Sequence, residues 1–486
     1  MPIDWKNSRQ LPLVAAMLQY KDADVYPLHT PGHKGGRGME RLLRQELGAS
    51  VQMDVSLMSE LDDLHEPSGC IQKAQQLAAA AYGSDACFWA VNGTTQAIHA
   101  MLLAALQPGE KVLLPRNAHR SVAGGLILGG LEAEYLQPEY NECFGIQMQV
   151  TAAAVEQALA QDGKIKAVLL TSPNYYGIAA DVRTIADICH RYQAVLLVDE
   201  AHGPHLGFSD LLPPSALQQG ADACAQSTHK LLGAMTQCSM LHVQSARLDV
   251  QRAADVMSLL TTTSPNYLLM ASLDAARYQV QRYGMQMAEA AVRAAAKLRN
   301  ICAAHAGLQV LASEDCGGWQ LDRTKVTVNF HNWGYSGVEA GEILRQAGIA
   351  VELIDAENVL FLVTYADENE DYEAVLTAID KVLSEMEQNQ RPAVSRIPAP
   401  SIPAAKSQMT LRQVFYTAKK SVPLEQAAGK ICGEQVSFYP PGIPVLLPGE
   451  IITKAVIDYC LQMKQLGLPV SGPADSSLRQ IRVVEQ

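Results

Sequence analysis

What most constrains this chain is a rhythm. From about residue 86 to residue 243, short apolar runs alternate with alanine-rich or amphipathic stretches of helical length. The runs fall at 86–91, 111–115, 133–136, 166–171, 194–198, 221–226 and 238–243, with helices predicted at 96–106, 151–161, 182–192 and 248–260. Runs this short and this apolar are strands buried on both faces, and the stretches between them suit the crossover helices that parallel strands need. The alternation specifies an α/β fold with a mostly parallel sheet and helices on both faces. In such sheets ligands collect outside the carboxyl ends of the strands. The residues directly after each run are therefore the first candidates for a site.

Polar residues follow five of these strand ends. Asn92-Gly93-Thr94-Thr95 opens a helix, where free backbone N–H groups, the positive end of the dipole and two hydroxyls suit an anion; a threonine there is also an ordinary N-cap. Arg116-Asn117-Ala118-His119-Arg120-Ser121 follows the next strand, and Ser172-Pro173-Asn174-Tyr175-Tyr176-Gly177 a later one. Asp199-Glu200-Ala201-His202, with His205 beyond it, precedes Ser227-Thr228-His229-Lys230. A lysine beside hydroxyls, with a carboxylate delivered from another strand end, is the pairing that pyridoxal phosphate chemistry uses: a Schiff-base lysine and an acidic partner for the ring nitrogen. The hydroxyl run Thr261-Thr262-Thr263-Ser264 suits a loop near a phosphate, or a plain turn. Four glycines within 32–38 make the stretch from His29 to Gly38 a loop, carrying His29, His33 and Lys34.

The remainder divides by composition. Residues 1–55 form an N-terminal arm with a helix at 11–19, and 56–310 a large domain closed by a long helical region at 267–306. Residues 311–388 read as a smaller α/β domain, with strands at 325–330 and 359–364 and helices at 337–347 and 372–387. A linker at 389–408 contains Pro392, Pro398, Pro400 and Pro403, and 409–486 is a C-terminal α+β segment. Its run of prolines and glycines at 436–450 follows one fixed path that ends on an acid, Glu450. A net charge of -12 argues against nucleic-acid and anionic-membrane partners. No apolar run is long enough to span a bilayer, and the first residues lack the basic start of a signal peptide. The ten cysteines are scattered without metal-ligand spacing, so they read as reduced thiols in a cytoplasmic protein that holds no structural metal.

The ordered set His29-Thr30-Pro31-Gly32-His33-Lys34-Gly35-Gly36, Asn92-Gly93-Thr94-Thr95, Arg116–Ser121, Asp199-Glu200-Ala201-His202, Ser227-Thr228-His229-Lys230 and Tyr439-Pro440-Pro441-Gly442-Ile443-Pro444 resembles the Orn/Lys/Arg decarboxylases. These are fold-type I pyridoxal-phosphate enzymes, and the likeness is to a short form without the N-terminal wing domain. The resemblance implies an aspartate-aminotransferase-like large domain and decarboxylation of a basic L-amino acid. Arginine to agmatine, a step toward polyamines, is favoured over lysine or ornithine. It implies that Lys230 carries the cofactor and returns a proton to the substrate, that Asp199 pairs with the pyridinium nitrogen, and that His119 stacks on one ring face with Ala201 on the other. Gly93, Thr94, Thr95, His202, Ser227 and His229 complete the cofactor set, with Thr262 or Thr263 contributed from a partner subunit. It further implies a homodimer with the site at its interface, or a higher assembly of such dimers. Glu450 is the candidate for the substrate's distal cation, ahead of Asp62 and Asp63. An aminotransferase on the same fold is the rival reading; it would need an arginine for the substrate carboxylate, with Arg323 and Arg345 as candidates. His205 receives no role.

Overall fold

A computed structural model describes residues 9–23, 25–393, 407–438 and 444–485. The 439–443 part of the proline-rich motif and most of the 389–408 linker lie outside the described residues. The chain divides into two compact units. The first comprises Met1–Ala105, Leu197–Phe208 and Pro214–Met285, and the second Leu106–Leu196, Ser209–Pro213 and Gln286–Gln486.

In the first unit the strand Ala86–Ala90 pairs antiparallel with Ser239–Val243, which pairs antiparallel with Ala223–Gln226. Ala223–Gln226 in turn runs parallel to the end of Val195–Asp199, with Asp199 opposite Ala225. One strand therefore points against the parallel expectation, and this direction matters for the site. The strand residues are almost all buried, as runs without polar alternation require. The helix Gly93–Ala105 begins three residues before the predicted 96, so Gly93, Thr94 and Thr95 form its first turn.

In the second unit Lys111–Pro115 runs parallel to both Glu132–Leu136 and Ile165–Thr171. The helices Ala152–Gln161 and Val182–Arg191 start within one residue of the predicted positions because Thr151 and Asp181 accept hydrogen bonds from the first-turn amides of Ala154 and Thr184. Residues 309–362 add a four-stranded sheet whose pairs are all antiparallel: Gln309–Val310, Lys325–Asn329, Asn358–Leu362 and Leu353–Ile354. The helices Gly337–Gln346 and Glu370–Gln388 contribute to its core with Phe330, Trp333, Leu344 and Leu383. Ser336 and Glu339 cap each other reciprocally at the start of the first of these helices. A separate core, around Val436, Ile452, Cys460 and Ile481, holds the C-terminal α+β segment. All ten cysteines are free thiols. Among the described residues, no helix is long and apolar enough to cross a membrane.

The helix Tyr267–Ala304 is continuous over 38 residues. Its Asp274 anchors the N-terminal arm within the first unit. The helix Pro12–Asp22 has Leu11 at its N-cap, which offers no side-chain acceptor; the Asp274 carboxylate supplies one instead, to the amides of Leu13 (3.1 Å) and Val14 (3.4 Å). Asp274 is itself paired with Arg277, and both side chains are fully buried. Replacing Asp274 with Ala removes the cap and leaves a buried guanidinium unpaired. The expected cost is about 3–5 kcal/mol, read as a lowered midpoint in chemical denaturation, with Asp274→Asn losing less because it keeps an acceptor.

Candidate active site

The site residues of the first unit meet where strand directions bring them together. Val195–Asp199 and Ala223–Gln226 are parallel, so their carboxyl ends lie side by side. Glu200 N–H continues the ladder by donating to Ala225 O at 3.0 Å. Beyond the second strand, Ser227 leads into a single turn, Thr228–Leu231, that carries His229 and Lys230. The antiparallel Ser239–Val243 begins at the rim where its neighbours end, and Ala90 lies opposite Ser239. Thr94, in the first turn after Ala86–Ala90, is thereby brought to the same rim. Its Oγ1 is hydrogen-bonded to Ser227 Oγ and lies 2.7 Å from Ser239 Oγ.

Three buried hydroxyls therefore converge at the N-terminus of a 13-residue helix. The amides of Thr94 and Thr95 have no acceptor within that helix. Gly93 sits at φ +72°, where glycine is needed, and a Cβ there would meet no atom within 4 Å. The Gly93 amide itself is used internally, donating to Gln237 O at 2.9 Å. Its contribution to an anion site is thus backbone shape, not its own N–H.

Asp199 is only 2 % exposed, and one of its oxygens accepts from Ala201 N–H at 3.1 Å. Burial pushes its carboxyl up to about 6, against the opposing pull of the Lys230 charge and the Ala201 amide. Lys230 Nζ lies 2.9 Å from His202 Nε2. With the lysine as donor, Nε2 of His202 accepts, and the proton of the neutral ring sits on Nδ1. The His229 ring is fixed by its Nδ1 donating to Cys238 O at 2.9 Å. Glu200, facing the interior, accepts from Ala216 N–H and from Gln226 Nε2, each at 2.7 Å; burial raises its carboxyl to about 7. It braces the two strand ends from beneath. His205 is buried in the turn that follows.

The remaining candidates have other places. Thr262 and Thr263 are exposed, on a loop held by His65, whose Nε2 donates to Thr262 O at 3.0 Å. Asp62 does not offer its carboxylate to a ligand. It accepts from the amides of Asp63, Ser68, Gly69, Ile71 and Gln72, and so caps the helix Cys70–Tyr82. Burial pushes against its ionisation, but these amides hold the carboxyl below its ordinary value. Asp63 accepts from His65 N–H at 2.9 Å. In the second unit, His119 is the N-cap of the helix Arg120–Gly129; its Nδ1 accepts from Ser121 N–H at 3.3 Å and lies 2.8 Å from Ser121 Oγ. Glu450 lies in the same unit. Its carboxylate is 1 % exposed and taken by Arg116, with Nη2 to Oε2 at 2.8 Å and a second bond from Nη1, while Leu447 N–H adds another at 2.9 Å. The Glu450 carboxylate thus has an internal guanidinium as its ion-pair partner. Arg323 and Arg345 are both exposed, unlike a built carboxylate anchor. The loop from His29 to Gly38 is tied internally, with His33 Nε2 3.0 Å from Asp54 and Gly36 N–H donating to His33 Nδ1.

Comparison with known proteins decides the family. The model for the Orn/Lys/Arg decarboxylase major domain matches residues 11–321, and that for the C-terminal domain of the same family matches residues 388–472. The chain belongs to the Orn/Lys/Arg decarboxylase family. It is 37% identical to the arginine decarboxylase of Bacillus subtilis over 99% of both chains, and 38% identical to that of Bacillus anthracis over 98% of both. The lysine decarboxylase of Francisella novicida superimposes with a TM-score of 0.81 at 22% identity, covering 98% of this chain and 81% of that one. An aspartate aminotransferase of Thermus thermophilus gives 0.51 at 16% identity, covering 65% of this chain and 90% of that one. The fold is the fold-type I α/β fold, and the protein is a decarboxylase of a family of pyridoxal-phosphate enzymes.

The raised Asp199 carboxyl has a measurable consequence. A carboxyl whose folded value of about 6 exceeds its unfolded value of about 4 contributes stability that is present below the lower value and lost as pH rises through the higher one. In cofactor-free protein, Asp199→Asn is therefore expected to gain stability relative to the parent between about pH 4 and pH 6 and to hold that gain above. Denaturation midpoints across this range check it.

Proposed function

We propose that this decarboxylase acts on L-arginine, releasing carbon dioxide and agmatine, with pyridoxal phosphate held at the rim of the first unit. The observation that carries the cofactor assignment is the Lys230–Asp199 pair: an amine and a buried carboxylate on the ends of neighbouring parallel strands, beside a hydroxyl cluster at a helix N-terminus. That donor set suits the group at both ends. A carboxylate that burial makes reluctant to stand alone suits a pyridinium N–H. Hydroxyls with uncompensated helix amides suit a phosphate. When bound, the cofactor supplies an electron sink for the pair left by the departing carboxylate.

The protein's own groups then have defined tasks. Asp199 would hold a proton on the ring nitrogen. Lys230 would hold the cofactor through its Nζ amine and would deliver a proton to the substrate α-carbon. Thr94, Thr95, Ser227 and His229 would hold the phosphate, joined by Ser239. Ala201 and His202 complete the surroundings of Lys230. The role of His119 as the residue stacked on the ring rests on the family resemblance; Ser121 sets the plane of its imidazole.

Arginine is preferred to lysine or ornithine because the arginine decarboxylases of two Bacillus species match this chain over nearly its whole length. The assembly proposed is a homodimer of cytoplasmic protein. Its support is the apolar surface of the first unit: Leu28 is 88 % exposed and Leu259, two residues before Thr261, 76 %. The helix Arg41–Leu47 buries none of its residues within the chain, yet carries exposed Leu42, Leu43 and Leu47. In such a dimer Thr262 or Thr263 would come from the partner subunit, as the family resemblance implies.

Purified protein with pyridoxal phosphate, offered arginine, lysine and ornithine separately, tests the reading by quantifying carbon dioxide and amine. Agmatine with equimolar carbon dioxide is expected from arginine, and none from Lys230→Ala. Cadaverine or putrescine in its place would overturn the choice of substrate. Keto acid without carbon dioxide would overturn the reaction.

A further inference from the structure

The phosphate-facing turn is held by a residue that the family motifs do not include. Gln96 is 3 % exposed, in the first turns of the helix Gly93–Ala105. Its Oε1 accepts from Asn92 N–H at 3.2 Å, closing the turn that contains Gly93, and its Nε2 donates to Thr261 Oγ1 at 2.6 Å. Thr261 Oγ1 in turn donates to Met257 O at 2.6 Å, in the last turn of the helix Val250–Leu260. The two helices are also fastened at their other ends, where Arg252 donates to Leu103 O through Nη2 at 2.9 Å and Nε at 3.3 Å. Two clamps thus join the same helix pair, one at the hydroxyl cluster and one about two helical turns away.

We propose that Gln96, acting with Thr261, is a positioning residue for phosphate recognition: it fixes the Asn92–Gly93 turn so that Thr94 and the first amides of the helix point at one spot. The physical reason is geometric. Hydrogen bonds from several donors to one anion add only if all donors are aimed before it arrives. Asn92 is the last residue before the left-handed Gly93, so its amide is where a small rotation would re-aim the whole turn. The Arg252 clamp, at the far end, holds the helix without aiming it. The inference rests on the proposed cofactor site.

The test compares pyridoxal phosphate with pyridoxal, which lacks the phosphate, as ligands of the cofactor-free full chain. The parent protein is expected to bind the phosphate form far more tightly. Gln96→Leu is expected to shrink that preference by about 10-fold, the scale of one or two lost buried hydrogen bonds, while affinity for pyridoxal stays unchanged. Thr261→Val, which removes the acceptor of Nε2 and leaves Gln96 in place, should do the same and serves if Gln96→Leu does not fold. Arg252→Met should lower the melting temperature and leave the preference intact. The proposal is overturned if Gln96→Leu or Thr261→Val weakens both ligands equally or neither, or if Arg252→Met shrinks the preference as much. A parent protein with no preference for the phosphate form would instead strike at the cofactor site itself.

Discussion

The structure of this decarboxylase depends on keeping a carboxylate dry. Asp199 ends a strand whose residues are buried before it, and its charge is opposed by burial and sustained by Lys230 and one backbone amide. Such a group costs stability unless it is paired, so its position is justified only by what it faces. Parallel pairing with Ala223–Gln226 fixes that partner. The register that sets Asp199 against Ala225 also places Lys230 one turn past the neighbouring strand end. The antiparallel Ser239–Val243 then brings Ser239 to the same edge, beside Ser227 and Thr94.

Much of this was legible in the sequence because strands buried on both faces announce themselves as unbroken apolar runs, and the residues just beyond them must lie at a rim. The positions of Asp199, Ser227 and Lys230 beyond the ends of neighbouring strands are legible in that way. Ser239 was not, because a run of apolar residues carries no sign of direction. Read as one more parallel strand, 238–243 would put its first residue at the wrong edge. Gln96 was hidden for a related reason: its partner Thr261 is far along the chain, and a glutamine in a helix carries no distinguishing pattern. Carboxylates proved the hardest to assign. Asp62 is consumed by the amides of its own loop and of the following helix, and Glu450 by Arg116, which lies 334 residues earlier. Whether an acid is free for a ligand depends on such partners, and spacing does not reveal them.

Aminotransferases and decarboxylases share this fold, so the fold alone does not choose the reaction. The two model matches, which between them reach from residue 11 to 472, assign the chain to the decarboxylases. The site agrees with that assignment in one respect: Arg323 and Arg345, the arginines considered for holding a substrate carboxylate, both point to solvent. A reaction that expels the carboxylate has no need to grip it as firmly as one that keeps it.

The central claim is that Lys230, and no other lysine, joins the cofactor beside Asp199. Borohydride reduction of the holoenzyme followed by peptide mapping tests it most directly. The account predicts one reduced pyridoxyl group per chain, on the peptide containing Lys230. A label on a different lysine, or a cofactor that remains extractable after reduction, would contradict it.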